Sequence, residues 1–189
     1  MLDEEARYVP ADEETEATVR RIAQDTWKER LYFDRMPGRT KERNRHDTVA
    51  DWLEEMRENG IRTVVCLAPN GDIERQSPEY ASWRARQPKE ESRYDLIDFP
   101  IADFGVPSEV ESAAFWELAR SLGEHTRDGE KLFIHRGAGI GRTGTMAVAI
   151  LMTMGYSYDE AYAEIRAAGS EPETPGQKTF LKNSSPQSS

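Results

Sequence analysis

A glycine-rich run set between two apolar segments constrains this chain more than any other feature. Lys131-Leu132-Phe133-Ile134-His135 reads as a short buried strand, and Thr143 to Met154 reads as a buried helix carrying several small residues. Between them lie Arg136, Gly137, Ala138, Gly139, Ile140, Gly141 and Arg142. A strand–glycine turn–helix unit directs several backbone N–H groups to one point, where the helix N-terminus adds partial positive charge. Successive N–H groups in such a turn form a concavity suited to an anion. Arg142, at the start of the helix, can close it with a planar fork that matches two phosphate oxygens. A Walker-type nucleotide loop is excluded, because Thr145 follows Gly144 where that loop needs Lys.

The run His135-Arg136-Gly137-Ala138-Gly139-Ile140-Gly141-Arg142-Thr143 resembles the signature of the cysteine-dependent protein tyrosine and dual-specificity phosphatases, His-Cys-x5-Arg-Ser/Thr, with Arg136 at the position of the nucleophilic Cys. Two further segments carry the resemblance. Phe99-Pro100-Ile101-Ala102-Asp103-Phe104-Gly105-Val106-Pro107-Ser108 is similar to the family's general-acid loop and places Asp103 as the proton donor. Thr174-Pro175-Gly176-Gln177-Lys178-Thr179-Phe180-Leu181 is similar to the segment whose Gln helps to place the hydrolytic water, a role that falls to Gln177. Thr143 matches the hydroxyl that follows the family's Arg, and His135 the residue that orders the loop. Arg35 to Arg39 and Ile61 to Leu67 look like opening segments of compact dual-specificity phosphatases, so the likeness spans roughly residues 30 to 182. It implies phosphate binding by residues 136–142, with no cofactor and no metal.

Arg136 changes what this site can do. The family's thiolate attacks phosphorus, whereas a guanidinium stays protonated and cannot. Uncatalysed phosphomonoester hydrolysis is so slow that enzymes supply up to ~10²¹-fold, so positioning alone leaves only residual turnover. Cys66, the one Cys in the chain, lies in Thr63-Val64-Val65-Cys66-Leu67-Ala68, a core strand where a thiol serves as a small apolar group. Two guanidiniums about 4 Å apart repel by about 4 kcal/mol at an effective dielectric of 20. Relief comes from Arg136 swinging outward, from pairing with a carboxylate such as Asp103, or from a bound anion. The expected function is therefore a catalytically dead phosphatase-like protein that binds a phosphorylated protein or a small phosphate ligand. Two alternatives stay open: an active phosphomonoester hydrolase whose Cys is substituted at 136, and an interaction protein whose pocket is vestigial and plugged.

The net charge of −10, from 35 acidic and 25 basic residues, argues against nucleic acid and anionic membranes as partners. The N-terminus lacks the basic and apolar parts of a signal peptide, no apolar run approaches the ~20 residues of a membrane span, and a cytoplasmic location is expected. His46 and His125 have no metal-ligand spacing.

Strands separated by helices give a single α/β domain with a mainly parallel central sheet flanked by helices, the glycine loop lying between the last strand and a helix. Residues 1–13 are expected to be an acidic flexible tail, 14–182 the phosphatase-like domain and 183–189 a polar tail. Glu14 to about Leu31 is expected to form an amphipathic helix. Val49, Trp52, Leu53 and Met56 form a helical stripe capped by Gly60. Asn70-Gly71-Asp72 marks a turn, and Pro78 to Arg86 a short helix. Ser108-x-x-Glu111 and Ser157-x-x-Glu160 are capping boxes. The first opens a helix to about Gly123 whose Val110, Ala114, Phe115, Leu118 and Leu122 face the sheet; the second opens a helix ending at Gly169.

Overall fold

The computed structural model describes residues 25–39, 48–87, 93–137 and 141–184. The expected tail at 1–13, the start of the expected N-terminal helix and His46 lie outside them. Four strands, β1 (Leu31–Arg35), β2 (Thr63–Cys66), β3 (Asp95–Asp98) and β4 (Leu132–Arg136), form one sheet in the order β1-β4-β2-β3, with every neighbouring pair parallel. Every residue of β2 and of β4 is buried. Their side chains alternate between two cores. Val65, Leu132 and Ile134 enter one with Phe115 and Ile150, while Val64, Cys66 and Phe133 enter the other with Trp52 and Tyr80. Both faces of the sheet are thus covered, which is the condition for an all-parallel sheet.

Helix α1 (Val49–Asn59) begins at Thr48, whose hydroxyl accepts from the Asp51 amide, and ends at Gly60 with φ 69°, where N–H groups of Gly60 and Ile61 return to Arg57 and Met56 carbonyls. Its Val49, Trp52 and Met56 are buried. Helices α2 (Asn70–Gln76) and α3 (Pro78–Ala85) follow β2. Asn70-Gly71-Asp72 is not a free turn but the first turn of α2, because Asp72 and Ile73 N–H groups reach the Pro69 carbonyl and Ile73 is buried. Residues that favour turns also favour helix starts, and the buried Ile73 decides between them.

The expected helix to Leu31 is corrected. Asp25–Glu29 is a 3-10 helix, and the chain then enters β1. Leu31-Tyr32-Phe33 pairs residue by residue with Leu132-Phe133-Ile134, so the open edge of β4 overrides the local helical pattern.

Helix α4 (Glu109–Arg127) starts at the Ser108–Glu111 capping box, as expected, but runs past Gly123. Gly123 is a crossing point, since a Cβ there would stand 2.7 Å from the Thr153 hydroxyl. Phe115, Trp116, Ala119 and Leu122 are its buried face, whereas Val110 is 89% exposed and Ala114 is exposed. Val110 and Ala114 thus lie on the solvent side of α4. Helices α5 (Gly141–Thr153), α6 (Tyr158–Ala167) and α7 (Pro175–Asn183) complete the second layer. From Gly141 to Met152, α5 is buried without a break. Gly144 on α5 is held against the chain at Glu171, whose carbonyl carbon would lie 2.3 Å from a Cβ; only glycine fits there.

Candidate functional site

The site lies at the carboxyl end of β4 and the amino end of α5. Arg136 is the last residue of β4 and Arg142 the second of α5, and each is 1% exposed. Ala138, Gly139 and Ile140 lie outside the described residues. Gly137 is buried against Gln76, whose amide oxygen would meet a Cβ at 2.7 Å, and its carbonyl accepts from Arg39 Nη1 at 3.3 Å.

Arg142 ties the site to the Asp103 loop. Its Nη1 donates to the Ile101 carbonyl at 2.7 Å and its Nη2 to Asp103 Oδ1 at 2.9 Å. The Asp103 side chain is 51% exposed. Asp103 therefore pairs with Arg142, so it is not the carboxylate that relieves Arg136, one of the three outcomes left open by the sequence. Arg136 does not swing outward either: its guanidinium is buried with Nη2 3.6 Å from Glu173 Oε2, and its Nε and Nη2 have no hydrogen-bond partner. Burial and then the Arg142 charge pull the Arg136 pKa down to about 10, against the opposing pull of Glu173 and Asp103. It remains a cation at neutral pH.

Glu173 is the site residue that the sequence reading missed. One of its carboxylate oxygens accepts from the Gly141 N–H at 2.7 Å, at the first amide of α5. The available signal was an acid directly before the Thr174–Gln177 segment, in a chain whose Arg136 and Arg142 need countercharge.

Gln177 is fully buried, not a surface residue at a helix start. Its Oε1 accepts from the Glu173 and Thr174 amides at 2.8 and 3.2 Å, and its Nε2 donates to the Gly105 carbonyl at 3.1 Å. It thus joins the Asp103 loop to the Glu173 segment. Thr174 completes a capping box with Gln177 and donates to the Phe104 carbonyl at 3.5 Å. Thr143 is buried with its hydroxyl unpartnered. Cys66 is buried, and that burial pushes its thiol pKa up, away from any nucleophilic role.

His135 supports the loop from beneath. Its Nε2 lies 2.6 Å from the Tyr80 hydroxyl, with the ring fully buried. Burial, then the Arg84 charge, lowers its pKa to about 3, and burial raises that of Tyr80, so the pair is neutral. A folded pKa below the ordinary 6.5 means that only the unfolded chain binds this proton between pH 6.5 and about 3. Stability from His135 is complete above that window and falls with pH by up to about 1.4 kcal/mol per unit. Urea midpoints at pH 7 and pH 5 should show this loss in the wild type and not in His135→Gln.

Among the described residues there is no group of three or more His, Cys, Asp or Glu arranged for a metal, and no helix long and apolar enough to cross a membrane.

A parallel sheet whose last strand is followed, after a glycine-rich segment, by a helix bearing a buried Arg bonded to an Asp-bearing loop defines a domain of the tyrosine and dual-specificity phosphatase type. Residues 38–156 match the family described as "Polymorphic toxin system, DSP-PTPase phosphatase", and the chain belongs to that family. Solved structures agree. A glycine-to-alanine mutant form of Tk-PTP is 30% identical, with a TM-score of 0.61 over 84% of this chain and 91% of that one. Kinase associated phosphatase, with its catalytic-site cysteine substituted by serine, is 22% identical at a TM-score of 0.64 over 80% and 83% of the two chains. PTPMT1 in complex with PI(5)P is 16% identical at 0.63 over 85% and 93%. The last two likenesses concern the fold alone. No curated protein matches the chain by sequence.

Proposed function

We propose that this phosphatase-fold protein binds a phosphorylated protein or small phosphate ligand through residues 136–142 without turning it over. One observation carries the reading. Arg136 and Arg142 are both buried at the amino end of α5, and two nitrogens of Arg136 have no hydrogen-bond partner. Buried donors left unmade cost about 1–3 kcal/mol or more each, so an entering phosphoryl oxygen recovers that energy. The Gly141 N–H already holds a carboxylate oxygen, which supports an anion at that end of the loop. Asp103 and Thr143 keep the positions of a general acid and of the hydroxyl beside the nucleophile, but no thiolate is present for them to serve. Gln177 acts as a brace.

A plugged, vestigial pocket is the competing reading, favoured by Glu173 on the Gly141 amide. Calorimetric titration with phosphate and phosphotyrosine decides. Saturable 1:1 binding that weakens at least ~10-fold in Arg142→Ala is the expected result, since a charged hydrogen-bonding group contributes about 1.5–3 kcal/mol. Absence of binding in every form of the protein would overturn it.

A further inference from the structure

We infer that Glu173 is a built-in competitor for the anion site, a tethered carboxylate that a phosphoryl group must displace. The inference rests on the phosphate-binding reading above and adds how that binding is gated. Three observations carry it. Glu173 Oε2 accepts the Gly141 N–H at 2.7 Å, taking up a donor at the amino end of α5. The same oxygen stands 3.6 Å from Arg136 Nη2, just beyond hydrogen-bond reach, and leaves that nitrogen and Nε unsatisfied in a fully buried guanidinium. The contact is an approach the chain is shaped for. A Cβ at position 141 would stand 2.6 Å from this oxygen and 2.7 Å from Gln177 Oε1, so glycine there gives the carboxylate room to approach.

The backbone of Glu173 is fixed while its side chain is not. Gln177 Oε1 holds the 173 and 174 amides, yet the Glu173 side chain is 30% exposed. Rotation about its own torsions releases the carboxylate to solvent without moving Gln177. A carboxylate has two oxygens in one plane and one charge. It spans Gly141 and Arg136 imperfectly, as the 3.6 Å gap records. A phosphoryl dianion has three terminal oxygens in a pyramid and higher charge, and can address Gly141 N–H, Arg136 and Arg142 together. The tethered group thus screens out weak monoanions, which cannot better it, and admits phosphoryl groups. The cost appears as a reduced fraction of open sites, which raises the apparent Kd by the inverse of that fraction. Occupancy above about nine-tenths corresponds to a factor of ~10 or more.

The test is phosphate affinity by calorimetry in the wild type, Glu173→Gln and Glu173→Asp. Glu173→Gln should bind inorganic phosphate at least ~10-fold more tightly. Glu173→Asp keeps the charge but is one methylene too short to reach Gly141, and should also bind more tightly. Tightening in Glu173→Gln alone would mean a distant charge effect and would overturn the proposal. A measurement on the unaltered chain removes any dependence on variant folding. The Glu173 side-chain carboxyl carbon, followed by NMR, should move to the position of a solvated glutamate as phosphate saturates. Phosphate binding with that signal stationary sinks the inference while leaving the binding function intact. No phosphate or phosphotyrosine binding in any of the three proteins sinks the binding function itself.

Discussion

An Arg136→Cys protein is expected to hydrolyse an aryl phosphate at least ~100-fold faster than the wild-type chain, the lower end of what a positioned proton donor contributes once a nucleophile is present. The substitution removes a buried cation and puts a thiol at the end of β4, beside the amino end of α5 and the Arg142 guanidinium. Positive surroundings of this kind stabilise a thiolate. Asp103 is already held 2.9 Å from Arg142, at the edge of the same site. Adding Glu173→Gln should raise the rate further, because Glu173, with its Arg136 countercharge gone, would otherwise keep a negative charge on the Gly141 N–H beside the thiol. Steady-state release of p-nitrophenol measures both effects. A folded Arg136→Cys chain that binds phosphate but shows no turnover above wild type would mean that the loop no longer supports in-line attack.

The largest loss of stability is expected from Trp52→Ala, about 4 kcal/mol, within the range for deleting a fully buried aromatic side chain. Trp52 is completely buried on α1 and touches four rings. It meets Tyr80 and Trp83 edge-on at 5.5 and 5.2 Å between centroids, and lies 5.7 Å from Phe133 and 6.4 Å from Tyr94. Its indole N–H has no hydrogen-bond partner, so the cost is one of packing alone. Trp52→Phe should accordingly lose much less, under about 2 kcal/mol, since a ring remains in place. Urea denaturation followed by far-ultraviolet circular dichroism separates the two. The effect should reach the site, because Tyr80 and Phe133 both border His135. Equal losses in the two variants would contradict the packing account.

Much of this architecture could be read from local chemistry. The apolar runs flanking the glycines became β4 and α5, and Ser108–Glu111 and Ser157–Glu160 are capping boxes, because such signals depend on residues within a turn or two. The edge strand β1 was not legible. Leu31-Tyr32-Phe33 stands between Arg30 and Asp34-Arg35 with no period-two pattern, and becomes a strand only because β4 offers an unpaired edge. The sides of α4 were misjudged at Val110 and Ala114, since periodicity fixes a stripe but not which of its members neighbouring elements cover. Within the site, Arg142 and Asp103 announced themselves by spacing and motif. Glu173 did not, because its role arises from Gly141 and Arg136, 32 and 37 positions away in the chain.

The Asp103 loop is tethered by three side chains: the Ile101 carbonyl and Asp103 by Arg142, the Phe104 carbonyl by Thr174, and the Gly105 carbonyl by Gln177. Phe104 sits between these anchors with φ 56°, a conformation that the cross-links sustain. A loop fixed in this way has surrendered its conformational entropy during folding, before any ligand arrives. Capture then has no large loop closure to wait for. Under the proposed binding role, the association rate would be governed by diffusional encounter and by the departure of the Glu173 side chain, which predicts rapid exchange of a phosphate ligand.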